Sequence, residues 1–194
     1  RAGAPGPRLM QVRDIGLGVL EIVPERFADA RGSFAETWQR QRFADMGIAH
    51  GWAQDNQSLS AEPHVLRGLH FQRAPMAQAK LIRVLRGSIF DVALDIRPGS
   101  ASFGQWVSRV LSAGAFNQLY IPEGFAHGFL TLEAGVEVFY KVSAPYAPDC
   151  EGCIAWNDPA LGVDWPLPPG RRPLLSPRDA AAPPLSALPP GLVF

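Results

Sequence analysis

The chain has 194 residues, 47% hydrophobic and 19% charged, a balance that fits one globular domain with a substantial core and excludes wholesale disorder. Its 18 basic and 18 acidic residues cancel, so no global field draws it to nucleic acid or to an anionic membrane, and any basic site has to be local. No apolar run approaches the roughly 18 residues that span a bilayer, and residues 1–9 lack the apolar centre of a signal peptide, which together lead us to expect a cytoplasmic protein.

Taken in chain order, residues 1–9 read as a tag or disordered extension ahead of a single domain over residues 10–194, with Met10 a candidate native start. From about residue 20 to 157 the chain breaks into short apolar or alternating runs bounded by Gly, Pro, Asn and Ser, the signature of an all-β sandwich or barrel. Residues 29–38 form a turn feeding a strand, residues 39–46 are the best helix candidate, and the polar run 54–60 reads as an ordinary turn. The clearest strands are 80–85, 88–96, 103–111, 117–121, 128–132 and 136–142, and their short connections favour antiparallel pairing. There are no internal repeats.

Cys150 and Cys153 have the C-x-x-C spacing of a redox dithiol or half a zinc site, but no second paired motif accompanies them and no helix opens after them. They read as two reduced thiols in a loop, with Gly152 a turn into a strand at 154–156. After Trp165 nine prolines fall between Pro166 and Pro190, the composition of an extended segment, although the apolar pair Leu174-Leu175 inside it predicts docking on the body.

The residues with chemical promise cluster at Val65-Leu66-Arg67-Gly68-Leu69-His70-Phe71-Gln72 and Gln78-Ala79-Lys80-Leu81. A neutral imidazole takes a proton near pH 7, an ammonium stabilises an oxyanion and a guanidinium clamps a phosphate, so the trio suits carbanion chemistry on an anionic substrate. Taken singly, each residue has a plainer reading: His70 as a hydrogen-bonded core histidine, Lys80 as a solvated amine, Asp179 as a turn residue after Pro177. Tyr140 shares strand parity with Val138 and Val142 and faces the interior, where a tyrosine is ordinarily a packing residue.

Together with the segments 29–36, 54–56, 91–97, 122–129, 138–141, 156–159 and 176–179, these motifs resemble, in order over about residues 10–185, the dTDP-4-dehydrorhamnose 3,5-epimerases. The resemblance implies a double-stranded β-helix of the cupin or jelly-roll type with few short helices, and a homodimer with exchanged N-terminal strands. It implies a substrate of the dTDP-4-keto-6-deoxyhexose class, whose C3 and C5 hydrogens are acidified by the C4 carbonyl. It makes His70 the base, Asp179 its carboxylate partner, Lys80 the holder of the enolate oxygen and Tyr140 the acid on the far face. Arg31, Glu36, Gln54, Asn56, Arg67, His127, Glu151 and Arg178 match positions that contact nucleotide or sugar; Arg178 departs from the usual lysine, which keeps the charge and alters the geometry.

Metal-binding cupins commonly carry a His-x-His pair with a later Glu and His. Here the histidines are His50, His64, His70 and His127, and Gly68 stands two before His70, so neither metal nor cofactor is expected, with a spatial cluster of His64, His70 and His127 left open. The expected activity is 3,5-epimerisation of dTDP-4-dehydro-6-deoxy-D-glucose to dTDP-4-dehydro-L-rhamnose. The alternatives are a single-centre epimerase of antibiotic sugar synthesis, a sugar-nucleotide-binding cupin without turnover and a metal-dependent cupin enzyme.

Overall fold

The structure, a computed structural model, describes residues 10–188; the expected N-terminal extension at 1–9 lies outside them. Thirteen strands run β1 (Met10–Gly16), β2 (Val19–Pro24), β3 (Phe27–Asp29), β4 (Gly32–Phe34), β5 (Gln54–Ser60), β6 (Leu66–Gln72), β7 (Lys80–Arg86), β8 (Ser88–Asp95), β9 (Trp106–Ser112), β10 (Gln118–Ile121), β11 (Phe125–Thr131), β12 (Val136–Val142) and β13 (Glu151–Cys153). The α-helices are α1 (Arg40–Asp45) and α2 (Pro177–Ala180). A six-stranded sheet of order β1-β2-β10-β7-β12-β5 faces a five-stranded sheet of order β13-β6-β11-β8-β9, and β3 and β4 make a separate hairpin. All these strand pairs are antiparallel, giving the expected jelly roll. No helix among the described residues is long and apolar enough to cross a membrane.

Strand alternation divides the space between the sheets into a dry end and a polar end. Ile82 and Val84 of β7 and Val138 of β12 point inward against Ile89, Ala93, Phe125 and Phe129 of the opposite sheet and form the central core. Towards the other end of the same strands the inward positions become Lys80, Tyr140 and His127, which face a cavity. The outer face of the five-stranded sheet packs Val92, Leu94 and Leu130 against Trp165, Leu175 and Leu185 of the proline-rich segment, so this segment docks as its apolar pair predicts. On the other outer face, Ile22, Leu81 and Tyr120 bury Phe43 of α1.

The helix expected at 39–46 is α1 with its caps: the Gln39 side chain accepts from the Arg42 amide at the N-cap, and Met46 closes the C-terminus. Strand β12 has the expected bounds. The strand expected at 128–132 runs Phe125–Thr131, and three further readings need correction. The strand expected at 103–111 starts at Trp106, because buried Asp95 gathers the Arg97 backbone and guanidinium together with the Ser100 and Ser102 hydroxyls and turns the chain there. Residues 54–60 are a strand with alternating burial, since their polar inward side chains meet the cavity and not an apolar core. Cys153 lies in strand β13 and not in a loop, so the strand expected at 154–156 falls at Glu151–Cys153 instead; Gly152 is required there, as a Cβ would fall 2.2 Å from the Phe71 ring.

Candidate active site

A cavity of about 370 Å³ opens between the sheets at their polar end, a size in the range of small-molecule sites. His70 projects into it from β6. Behind the ring, His70 Nε2 lies 2.5 Å from Asp179 Oδ1 and donates to it, which leaves Nδ1 as the ring nitrogen without a protein partner among the described residues. Asp179 comes from the far end of the chain, held by the Ser-Pro-Arg-Asp run. Ser176 caps α2 by accepting from the Asp179 amide and donates its hydroxyl to Asp179 Oδ2 at 2.8 Å, while Pro177 sets the first helical φ. Burial alone would raise the Asp179 carboxyl, but the hydrogen bond and charge of His70 and the Ser176 hydroxyl hold it below the ordinary carboxylate range. An ionised carboxylate in that position fixes the tautomer and steadies an imidazolium.

The close pairing of β6 with β11 sets the position of His70. A Cβ on Gly68, whose φ is +125°, would lie 2.5 Å from the Gly128 Cα, so the backbones approach as only glycine permits and the register shifts between His127 and Phe129. His127 is thereby paired with His70. Its Nε2 donates to Asp91 Oδ2 at 2.9 Å; both side chains are buried, and burial lowers the His127 imidazole below its usual value against the opposing charge of Asp91. Asp91 Oδ1 is buried with no partner among the described residues.

Lys80 and Tyr140 enter from the opposite sheet. Lys80 Nζ reaches across to donate to the His70 carbonyl at 3.3 Å, and Tyr140 lines the same cavity from β12, next to Asn56 in register. Desolvation pushes the Lys80 amine down to about 8 against the charges of Asp91 and Glu151, so it remains mostly an ammonium at neutral pH. Desolvation raises the Tyr140 phenol above its usual value, with Arg67 opposing, and keeps it protonated. Arg67 lines the cavity from β6 beside Gln54 and Asn56 of β5. At the rim, Glu151 accepts from the Tyr146 hydroxyl at 2.7 Å and from the Arg178 guanidinium.

The structure therefore gathers His70, Lys80, Tyr140, Gln54, Asn56, Arg67, His127 and Glu151 around one cavity, with Asp179 behind His70 and Arg178 reaching it through Glu151. Arg31 and Glu36 are not brought there. Arg31 pairs with Asp29 on the β3–β4 hairpin in solvent, and Glu36 pairs with Arg42. The group of three potential metal ligands found among the described residues is His70, Cys153 and Asp179, not the three histidines that sequence left open.

Over residues 16–187 the chain matches the family model of dTDP-4-dehydrorhamnose 3,5-epimerase. It is 51% identical to the enzyme of that name from Salmonella typhimurium over 166 residues, covering 85% of this chain and 89% of the relative, and 43% identical to that from Sinorhizobium fredii over 185 residues, covering 93% and 92%. Among solved structures it is similar to the dTDP-6-deoxy-D-glucose-3,5-epimerase of Legionella pneumophila in complex with dTDP-4-keto-L-rhamnose. The TM-score is 0.90 at 43% identity, over 95% of this chain and 97% of that one. The chain belongs to the dTDP-4-dehydrorhamnose 3,5-epimerase family.

In and behind the cavity of this family member stand groups that sequence reading quoted within motifs but gave no role. Gln72 donates to the Met76 and Pro145 carbonyls and accepts from the Ala147 amide, and Gln78 donates to the Ala144 carbonyl, so the two glutamines pin the 143–148 loop that carries Tyr146 to the rim. Asp91 was quoted only within a motif. Its inward parity between Ile89 and Ala93, a carboxylate among core residues, was the available signal.

The buried ammonium gives a two-sided expectation for this epimerase. Rising pH removes the Lys80 charge, so under the enolate-holding role that the family resemblance implies for it, kcat/KM should fall as pH passes about 8. Lys80→Met should lose that limb and about 10²- to 10³-fold in turnover, as for a removed oxyanion donor. The folded value lies below the ordinary lysine value near 10.5, so the penalty for holding the charge is fully present below about pH 8 and fades as pH rises towards 10.5. Methionine should therefore raise Tm at pH 7, a gain that fades as pH rises towards 10.5. Unchanged stability with an intact alkaline limb, read by thermal melts and pH profiles, would remove Lys80 from this role.

Proposed function

We propose that the protein epimerises dTDP-4-dehydro-6-deoxy-D-glucose at C3 and C5, forming dTDP-4-dehydro-L-rhamnose. The observation that carries this reading is the His70–Asp179 pair on one wall of the cavity and Tyr140 on the other, with the Lys80 ammonium beside them. Inversion at a carbon next to a ketone needs a base on one face, an acid on the opposite face and positive charge at the developing enolate oxygen. His70 Nδ1 removes the proton while Asp179 stabilises the imidazolium. Lys80 holds the enolate oxygen, and Tyr140 returns a proton from the far side. Arg67, Gln54 and Asn56 bind the sugar nucleotide with His127, Glu151 and Arg178; the guanidinium forks suit a diphosphate. Incubation with that substrate and NMR of the product should show inverted C3 and C5. Inversion at one carbon alone would make this a single-centre epimerase, and unchanged substrate would reduce it to a binding module.

We further propose a homodimer in which N-terminal strands exchange and Arg31 and Glu36 complete the partner's cavity. The exposed β3–β4 hairpin supports this, with Phe34 71% and Phe27 47% exposed beside Arg31 and with no apolar cover of its own. Sedimentation should report twice the 21.0 kDa chain mass, and a stable active monomer would contradict the exchange. A cytoplasmic location fits the unpaired Cys150 and Cys153.

A further inference from the structure

Strand β13 brings a thiol to the back of the His70–Asp179 pair that no step above uses. Cys153 is paired with His70 in the β13–β6 register, and its Sγ lies 3.7 Å from Asp179 Oδ1, the oxygen that also takes the His70 Nε2 hydrogen bond at 2.5 Å. The three donor atoms lie within 4.8 Å of one another, and Asp179 and Cys153 are 3% and 8% exposed. An imidazole nitrogen, a thiolate sulfur and a carboxylate oxygen form a set that suits Zn²⁺ and thiophilic cations and does not suit Mg²⁺ or Ca²⁺, which seek oxygen. Tetrahedral zinc, with bonds of about 2.0–2.3 Å, holds its ligand atoms about 3.3–3.8 Å apart. The Sγ–Oδ1 spacing already fits. The Nε2–Oδ1 spacing has to open by about 1 Å as the ion replaces the bridging proton, for which Asp179, on the one-turn α2 and not on a sheet strand, is placed to shift, and the Nε2–Sγ spacing, within 4.8 Å, has to settle into the same range through the side chains of His70 and Cys153.

We propose that His70, Cys153 and Asp179 form an inhibitory site for Zn²⁺, with water as the fourth ligand. On binding, the Cys153 S–H bond breaks and its proton goes to solvent, while the neutral imidazole gives up its Nε2 proton and takes one at Nδ1. One proton is released per ion, and no oxidation state changes. Nδ1, the nitrogen left to the cavity, then carries a hydrogen and can no longer accept one from substrate. Inhibition thus acts through the tautomer and not by filling the cavity, so Zn²⁺ lowers kcat without raising KM. The inhibition rests on the proposed role of His70 as base; the binding does not.

The test uses the full chain freed of metal with EDTA. In Cys150→Ser, where Cys153 is the sole thiol, Cd²⁺ should give a thiolate-to-metal charge-transfer band that saturates at one equivalent. Zn²⁺ should suppress turnover of the wild type and of Cys150→Ser alike, reversibly with EDTA. Cys153→Ser and Cys153→Ala should lose the band and raise the inhibitory Zn²⁺ midpoint about 100-fold. Absence of the band in Cys150→Ser, or a wild-type Zn²⁺ midpoint in a folded Cys153 variant, overturns the proposal. A Cys153-dependent band with turnover undiminished at saturating Zn²⁺ overturns the inhibition while leaving the metal site standing, and exchange in His70→Asn tests the base separately.

Discussion

His70→Asn is expected to abolish solvent-proton exchange at both C3 and C5 while dTDP binding and the melting profile persist. Asparagine is close in size and remains polar, so the ion-pair partner Asp179, 3% exposed, keeps a hydrogen-bonding neighbour and the β6–β11 pairing is undisturbed. What is lost is the part-buried imidazole that turns Nδ1 to the cavity while Asp179 holds its Nε2; the buried His127–Asp91 pair remains. Positioned acid–base groups supply about 10²- to 10⁴-fold in rate, and both carbons depend on this one, so the loss should reach the upper end of that range. Exchange in His70→Asn at the wild-type rate, followed by NMR, would exclude His70 as the sole base.

The second large effect separates exchange from inversion. Tyr140 stands on β12, on the wall opposite His70, with its phenol kept protonated by desolvation, as a proton donor requires. Removing the hydroxyl leaves the base, the carboxylate behind it and the Lys80 ammonium in place. An enolate denied a proton from the Tyr140 side can still recapture one from His70. Tyr140→Phe should therefore incorporate solvent deuterium with mostly retained configuration and form inverted product about 10²-fold or more slowly. Inversion at the wild-type rate would return Tyr140 to the packing role that its strand parity alone implies.

The sequence was most legible where one physical signal acted alone. Alternation over Val136–Val142 gave β12 residue for residue, and the helix read at 39–46 exceeds α1 by its two cap residues alone. It was least legible where the inward face is not a core: Gln54, Asn56 and Ser58 alternate into a cavity, so the hydrophobic period that announces a strand is missing from β5. Asp95 misled for a related reason, since its turn is made by a buried carboxylate gathering groups up to seven residues ahead, a pattern without an apolar period. The site was legible as a set of motifs and not as a geometry. His70 and Asp179 are 109 residues apart, and nothing local to either announces the other. Cys153 was read by its spacing to Cys150, whereas its consequential neighbour is Asp179. Arg31 and Glu36, matched by motif, pair with Asp29 and Arg42 and do not line the cavity within one chain.

The account stands on one base serving two carbons beside a ketone, and deuterium incorporation tests it most directly. The wild-type protein, incubated with dTDP-4-dehydro-6-deoxy-D-glucose in D₂O, should yield product carrying deuterium at both C3 and C5, with both signals absent when His70→Asn is used. Product formed without solvent deuterium, or deuterium at both carbons in the His70 variant, would contradict it.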